Sequence, residues 1–319
     1  MKNERVLMDA HLSAMRKECE MKTALRSIVY EEHSALNTPQ ITVMPHEIFM
    51  AETEMNSGGW LLSEDETWAP KKSRATNPAV CIGIEGASPG DMLAVEIIDI
   101  IPDKLGYTGF FGDNAVLPNR IKIADWGLNT KTVKIENGII HWSDAIKLTA
   151  CPMIGVLGTA PKAESLKNTR GGPHGGNMDV QEVCAGSIVY LPVETEGALL
   201  HIGDVHALQG DGEINGAGGI ECRSTVKMKA WLMKRPKNFL CARIEDKTHI
   251  MTVACERTAE ESFYTATEQL IQWMVDDYKF SLHEAYLFLG QVMEARCTQF
   301  VNPTSSYICK IAKKYLIVE

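Results

Sequence analysis

The sequence predicts an α+β chain that is predominantly β, a strand-rich body followed by a C-terminal helical hairpin. Three observations predict it. Short runs of branched apolar residues, bounded by polar turns, recur between Ile28 and Ala254. Glycine crowds the stretch from Thr169 to Gly219, which argues for tight turns and close backbone approach rather than regular core. Helical periodicity backed by capping signals appears only after residue 257.

Taken in order, residues 1–24 read as a peripheral extension. Leu7, His11, Ala14 and Glu18 fall at helical spacing, but the apolar face is thin. Residues 25–256 read as the strand-rich body. The turn Ala87-Ser88-Pro89-Gly90-Asp91 introduces a strand over Met92–Ile100. Further strands are expected at Thr132–Ile135, Met153–Val156, Ser187–Pro192, Ala198–Ile202, Cys222–Trp231 and Ile250–Ala254. Residues 257–319 read as a helical hairpin and closing segment packed on the body. Thr258 and Glu261 form a capping box, followed by a stripe of Phe263, Ala266, Leu270 and Met274. Ser281 and Glu284 repeat the signal ahead of Leu282, Tyr286, Leu289 and Met293.

Bulk composition excludes several function classes. The chain has 319 residues, 45% apolar and 23% charged, which is globular and large enough for a sizeable core. A net charge of −9 without any basic tract argues against a nucleic-acid partner. No run reaches the roughly 18 apolar residues of a membrane helix. The nine cysteines form no CxxC pair, and the charged first twenty residues are unlike a signal peptide. Reduced thiols in a cytoplasmic protein are therefore expected, most of them packing in the core. A nucleophilic role stays open for Cys151 and Cys222.

The chemistry concentrates in two segments. In Leu200–His206, strand alternation puts Asp204 and His206 on one face and His201 on the other. One oxygen and one nitrogen suit a borderline cation such as zinc. Asp211, Glu213 and Glu221 follow in and after glycine turns, so five ionisable groups fall within eighteen residues. Buried together they repel one another, and a cation relieves that repulsion; a solvated acidic loop is the alternative. The second segment is Gly172–Asp179. Its His174 is a candidate ligand or proton shuttle, and Gly175 and Gly176 can present backbone N–H groups to a carboxamide oxygen. Glu213 is the preferred proton acceptor for a hydrolytic step, with His174 in reserve. No HExxH or phosphate-binding loop is present.

These residues resemble a known family. Gly172-Pro173-His174-Gly175-Gly176-Asn177-Met178-Asp179, with the continuation Gly203-Asp204-Val205-His206-Ala207-Leu208-Gln209-Gly210-Asp211-Gly212-Glu213, is similar to the central signature of the acetamidase/formamidase family. Asn77-Pro78, Glu85–Asp91 and Cys297–Pro303 resemble its outer blocks, so the similarity runs over residues 25–316. The resemblance implies a metal-dependent amidase that releases ammonia from a short aliphatic amide. It also implies a β-sandwich-like body with a smaller mixed α/β region, and a homodimer or higher homo-oligomer. Zinc is the implied ion, with calcium as a candidate second ion. The carry-over points to Asp179, Asp204, His206 and Glu221 as metal residues and to Gly175, Gly176 and Asn177 around the substrate. Two departures stand out: Pro45–Met50, and the aromatic segment Gly106–Asn114, which reads equally as a pocket wall or as ordinary packing. They keep two alternatives open, a related hydrolase of a larger or cyclic amide, and a non-catalytic metal-binding protein on the same scaffold.

Overall fold

The branched run that begins at Met92 continues well past Ile100, as a 20-residue strand over Asp91–Phe110. Its length lets it pair with three neighbours: Ile188–Pro192, Glu221–Lys234 and Asn129–Glu136. The structure, a computed structural model, describes residues 21–110, 115–118, 129–216 and 218–316. Residues 1–20 of the expected N-terminal extension, and residues 111–114 of the aromatic segment, lie outside the described residues.

The predominantly β architecture is present, with 43% strand and 14% helix. Eighteen strands among the described residues form one continuous sheet that curls into a half-barrel. Branched side chains from Leu93, Val95, Ile97, Val189, Leu191, Ile202 and Val226 fill its interior. The strand Leu200–His206 is buried at all seven positions. It runs antiparallel between Met153–Gly158 and Ala79–Ile84, and its last residue pairs with Glu221. Two of its polar residues, Asp204 and His206, are thereby drawn into the interior.

The helical hairpin forms as its caps predict. Helix Ala259–Tyr278 starts from the Thr258–Glu261 capping box, and helix Leu282–Val292 from Ser281, whose hydroxyl accepts from the Glu284 N–H at 3.2 Å. Lys279, in the left-handed region at φ 59°, ends the first helix without a glycine. Ala266, Leu270 and Met274 turn inward onto the strands His249–Glu256 and Ser305–Ala312, and a second cluster with Trp273, Ile250 and Ile311 seals that side. The closing segment contributes two strands of its own, Glu294–Gln299 and Ser305–Ala312. Among the described residues no helix is long and apolar enough to cross a membrane.

Candidate metal and catalytic centre

Asp204 departs from ideal strand geometry. It sits in the left-handed region at φ 54°. The ladder pairs Ile154 with Val205 and Val156 with Gly203, passing over Gly155 and Asp204 between them. Gly155 leaves room there: a Cβ on it would lie 2.5 Å from Asp179 Oδ1 and 2.9 Å from Asp204 Oδ2. The missing side chain therefore allows two carboxylates to meet behind the strand.

Around that point the structure brings together Asp179, Asp204, His206, Glu213 and Glu221, all buried. They form two overlapping triads that share His206, one with Asp204 and Glu221, the other with Asp179 and Glu213. The ligand atoms within each triad lie within 4.8 Å of one another. His206 Nε2 is 3.1 Å from Glu221 Oε1 and 3.5 Å from Asp204 Oδ1. Asp179 and Glu213 reach the cluster from turns at positive φ, 47° and 46°. Asp211, the remaining acid of the sequence cluster, is on the surface, bonded to Arg296 at 2.8 Å and to Gln181 at 3.0 Å.

Electrostatics mark the cluster as incomplete without a cation. Burial pushes the Asp179 carboxyl up to about 7, with the Asp204 charge adding to it. Burial and then Asp179 hold Glu213 well above its ordinary value. Glu221 is raised by burial, against the opposing pull of His206. Burial alone would lower His206, but Glu221 and then Asp204 outweigh it and raise the imidazole well above its usual range. Asp179 Oδ1, Asp204 Oδ1, His206 Nε2, Glu213 Oε2 and Glu221 Oε2 are all buried without a hydrogen-bond partner. Five such atoms converging from four carboxylates and one imidazole fit a divalent cation with borderline character.

Supporting groups orient this set. Gln209 donates its amide to the backbone oxygens of Asp179 at 2.9 Å and Thr298 at 3.2 Å. Its Oε1 is thus an acceptor, 2.7 Å from His206 Nδ1. That fixes the proton on Nδ1 and aims Nε2 at the carboxylates, the arrangement a metal-binding histidine requires. Asn302 donates to Asp179 Oδ2 at 2.6 Å. Asn77 donates to Asp204 Oδ2 at 3.0 Å. The sequence carries Asn77, Gln209 and Asn302 inside its family-like blocks, yet only the fold shows what each touches.

The cluster opens on a cavity of about 190 Å³. Asn177, Asp204, Glu213 and Glu221 line it together with Asn56, Trp68 and Tyr107. Tyr107 thus makes the aromatic segment a pocket wall at that position. Gly175 and Gly176 are elsewhere: they pair with Gly158 and Leu157 and do not line the cavity. His174 is also apart. It packs edge-on against His33, ring centroids 4.9 Å apart, and His33 packs on His201 at 4.6 Å. This second group lies on the face of Leu200–His206 opposite to His206. Burial, then Arg170, pulls His174 down to about 4. Of the two candidate thiols, Cys222 is buried and pushed up to about 12, which suppresses its thiolate, and exposed Cys151 does not line the cavity. A larger groove of about 590 Å³ between the two helices is mainly apolar and holds no cluster of ionisable groups.

Known proteins are similar to this chain in sequence and in fold. The sequence profile of the Acetamidase/Formamidase family matches residues 38–172 and 164–308. The solved structure of an acetamidase from Bacillus Halodurans is similar with a TM-score of 0.85 and 31% identity, over 92% of this chain and 98% of that one. An acetamidase from Yersinia enterocolitica is similar with a TM-score of 0.85 and 29% identity, over 94% of each chain. A formamidase from Methylophilus methylotrophus is 30% identical over 205 residues, which is 48% of this chain and 50% of that protein. The chain spans about half the length of the curated relatives it matches.

Proposed function

This chain belongs to the acetamidase/formamidase family, and from that membership we propose that it is a metal-dependent hydrolase of short aliphatic primary amides, of the formamide or acetamide type, producing ammonia and a carboxylate. The observation that carries the reading is the buried carboxylate–histidine cluster, with its five unpartnered atoms, at the floor of a small cavity. Ordinary ligand pockets begin at roughly 300 Å³. A cavity of about 190 Å³ favours an amide of a few heavy atoms.

Asp204, His206 and Glu221 would hold the ion, with Asp179 beside them. These three ligands, one imidazole and two carboxylates, would match the ligand number of hydrolytic zinc sites. When bound, the ion supplies Lewis acidity toward the amide carbonyl and an acidified water. The chain's own residues do the rest. Glu213, held high by burial and by Asp179, accepts the proton of the attacking water and returns it to the departing nitrogen. His174, with its ring among His33 and His201, is not placed for that step. Asn177 lines the cavity and is the substrate contact retained from the sequence reading. Gly175 and Gly176 carry the strand that presents Asn177. Zinc as the ion, calcium as a second one, a homo-oligomer, the three-part division of the chain at residues 24 and 256, and a cytoplasmic setting belong to the same proposal.

The test is ammonia release from formamide and acetamide by the purified protein, with metal content read in parallel. Release that stops on chelation and returns with zinc supports the reading. Metal-loaded protein that releases no ammonia from either amide rejects it.

A further inference from the structure

Beside the carboxylate cluster, the cavity wall around Tyr107 and Asn56 is built as a directed chain of hydrogen bonds. Trp60 Nε1 can only donate, and it donates to Ser57 Oγ at 2.8 Å. Ser57 Oγ is 2.6 Å from the Tyr107 hydroxyl. Tyr107 in turn donates to Asn56 Oδ1 at 2.5 Å. Tyr107 has one proton, and that proton is given to Asn56, so Ser57 is the donor to Tyr107. A tyrosine phenol ordinarily loses its proton only at about pH 10, so Tyr107 keeps that proton at neutral pH. The rings are locked as well: Trp60 meets Tyr107 edge-on at 5.0 Å and Trp68 stacks on it at 6.4 Å.

The direction of this chain has a consequence at its end. With Oδ1 of Asn56 committed as acceptor, the NH2 group is the remaining hydrogen-bonding group of this cavity-lining side chain, and among the described residues no group accepts from it. The Asn56 main chain is held as well, since its carbonyl accepts from the Asn77 N–H at 2.7 Å. Asn56 is therefore an oriented, neutral pair of donors on the same cavity of about 190 Å³ that Asp204, Glu213 and Glu221 line. Those acids cannot hydrogen-bond a carbonyl oxygen when ionised.

We propose that Asn56 is a substrate-binding residue whose side-chain NH2 donates to the carbonyl oxygen of the amide, with the Trp60–Ser57–Tyr107 chain fixing its orientation. The inference rests on the reading of the cavity as an amide site. It adds a selection rule: the site takes ligands that bring an uncharged carbonyl oxygen to this wall. Preorganised donors of this kind do most for affinity when they cannot rotate away.

The test compares Asn56→Asp, which keeps the acceptor for Tyr107 but replaces the NH2, and Asn56→Ala with the parent protein. Two quantities are measured: kcat/KM for acetamide, and the affinity for acetone by ligand-observed NMR. Acetone offers a similar carbonyl oxygen and cannot be hydrolysed, so its binding reports on Asn56 whether or not the protein turns over amides. Both variants should weaken acetone binding by about 10-fold or more, with metal content and melting temperature unchanged. Tyr107→Phe, which frees the Asn56 amide to flip, should give an intermediate loss. Weakened acetone binding in protein that releases no ammonia would keep Asn56 and reject the amidase reading. Acetone affinity within about twofold of the parent in Asn56→Ala, or no acetone binding by the parent, overturns the assignment of Asn56.

Discussion

Asn77 Nδ2 donates to Asp204 Oδ2 across 3.0 Å, and the same nitrogen lies 3.3 Å from Asn177 Oδ1. One amide thus ties a carboxylate of the cluster to a residue of the cavity wall. Asn77 is itself pinned from outside: its carbonyl accepts from Asn168 Nδ2 at 2.8 Å. Its backbone lies in the left-handed region at φ 46°, which asparagine tolerates better than most residues.

Replacing Asn77 by glycine keeps that backbone conformation accessible and removes only the side chain. Losing a hydrogen bond that orients a metal-binding carboxylate costs about 10- to 100-fold in metal affinity. Asn77→Gly is expected to lose its metal to a competing chelator at correspondingly lower chelator concentration. Retention equal to the parent would show that Asp204 is oriented without Asn77.

Glu213→Gln should leave metal content intact and lower kcat for acetamide by roughly 10²- to 10⁴-fold, the usual size of a lost general base. Near-normal turnover in this variant would remove Glu213 from the mechanism. A variant that also loses its metal would instead make Glu213 a ligand, as its place in the triad with Asp179 and His206 permits.

Gly155→Ala is a steric test of the centre. Gly155 is not at positive φ, so alanine adds no backbone strain. Its Cβ would nevertheless collide with Asp179 Oδ1 at 2.5 Å and with the Asp204 backbone oxygen at 2.7 Å. Displacing both acids should abolish stoichiometric metal binding, read by elemental analysis of folded protein. A full metal complement in Gly155→Ala would mean that the acids can shift without loss of the site.

The His33, His174 and His201 group sets a pH dependence of stability. His174 and His201 are pulled down to about 4, in both cases first by burial. Above the ordinary value of 6.5 they are neutral in both folded and unfolded chains. Between 6.5 and about 4 the unfolded chain takes up protons that the folded chain refuses, so stability falls as pH falls, by up to about 1.4 kcal/mol per pH unit for each histidine. The raised carboxyls of the metal-free cluster act in the opposite direction, since the folded chain protonates them first. The histidine contribution is therefore read by difference. Denaturant titrations across pH 4–7 should show His174→Gln losing less stability on acidification than the parent. Parallel curves would place the acid sensitivity elsewhere.

Much of the architecture is legible from local pattern. Thr258 with Glu261, and Ser281 with Glu284, mark both helix starts because capping is satisfied within four residues. Branched runs mark the strands because a pleated, buried surface selects those side chains. Boundaries were less visible. Asp91–Phe110 runs ten residues past Ile100 because two neighbouring strands, Glu221–Lys234 and Asn129–Glu136, supply partners that carry it past the unpaired polar residues Asp103 and Lys104. The pair Glu294–Gln299 and Ser305–Ala312 is held by cross-strand pairing and by the adjacent strand His249–Glu256, which no local window contains.

The candidate site divides in the same way. By itself the sequence determined which groups are available, four carboxylates and a histidine in glycine-rich segments too costly to bury without a cation. It also determined, through strand alternation, that His206 and His201 face apart. Only the tertiary structure decided that Asp179 and Glu213 meet Asp204, His206 and Glu221, that Asp211 stays in solvent, and that His174 joins a different group. It alone brought Asn56, Asn77 and Tyr107 from strands and turns far along the chain to the cavity wall. The physical reason is range: capping, alternation and turn chemistry act over a few residues, whereas the charge repulsion and unsatisfied hydrogen-bonding capacity that define this site exist only where distant segments are packed together out of water.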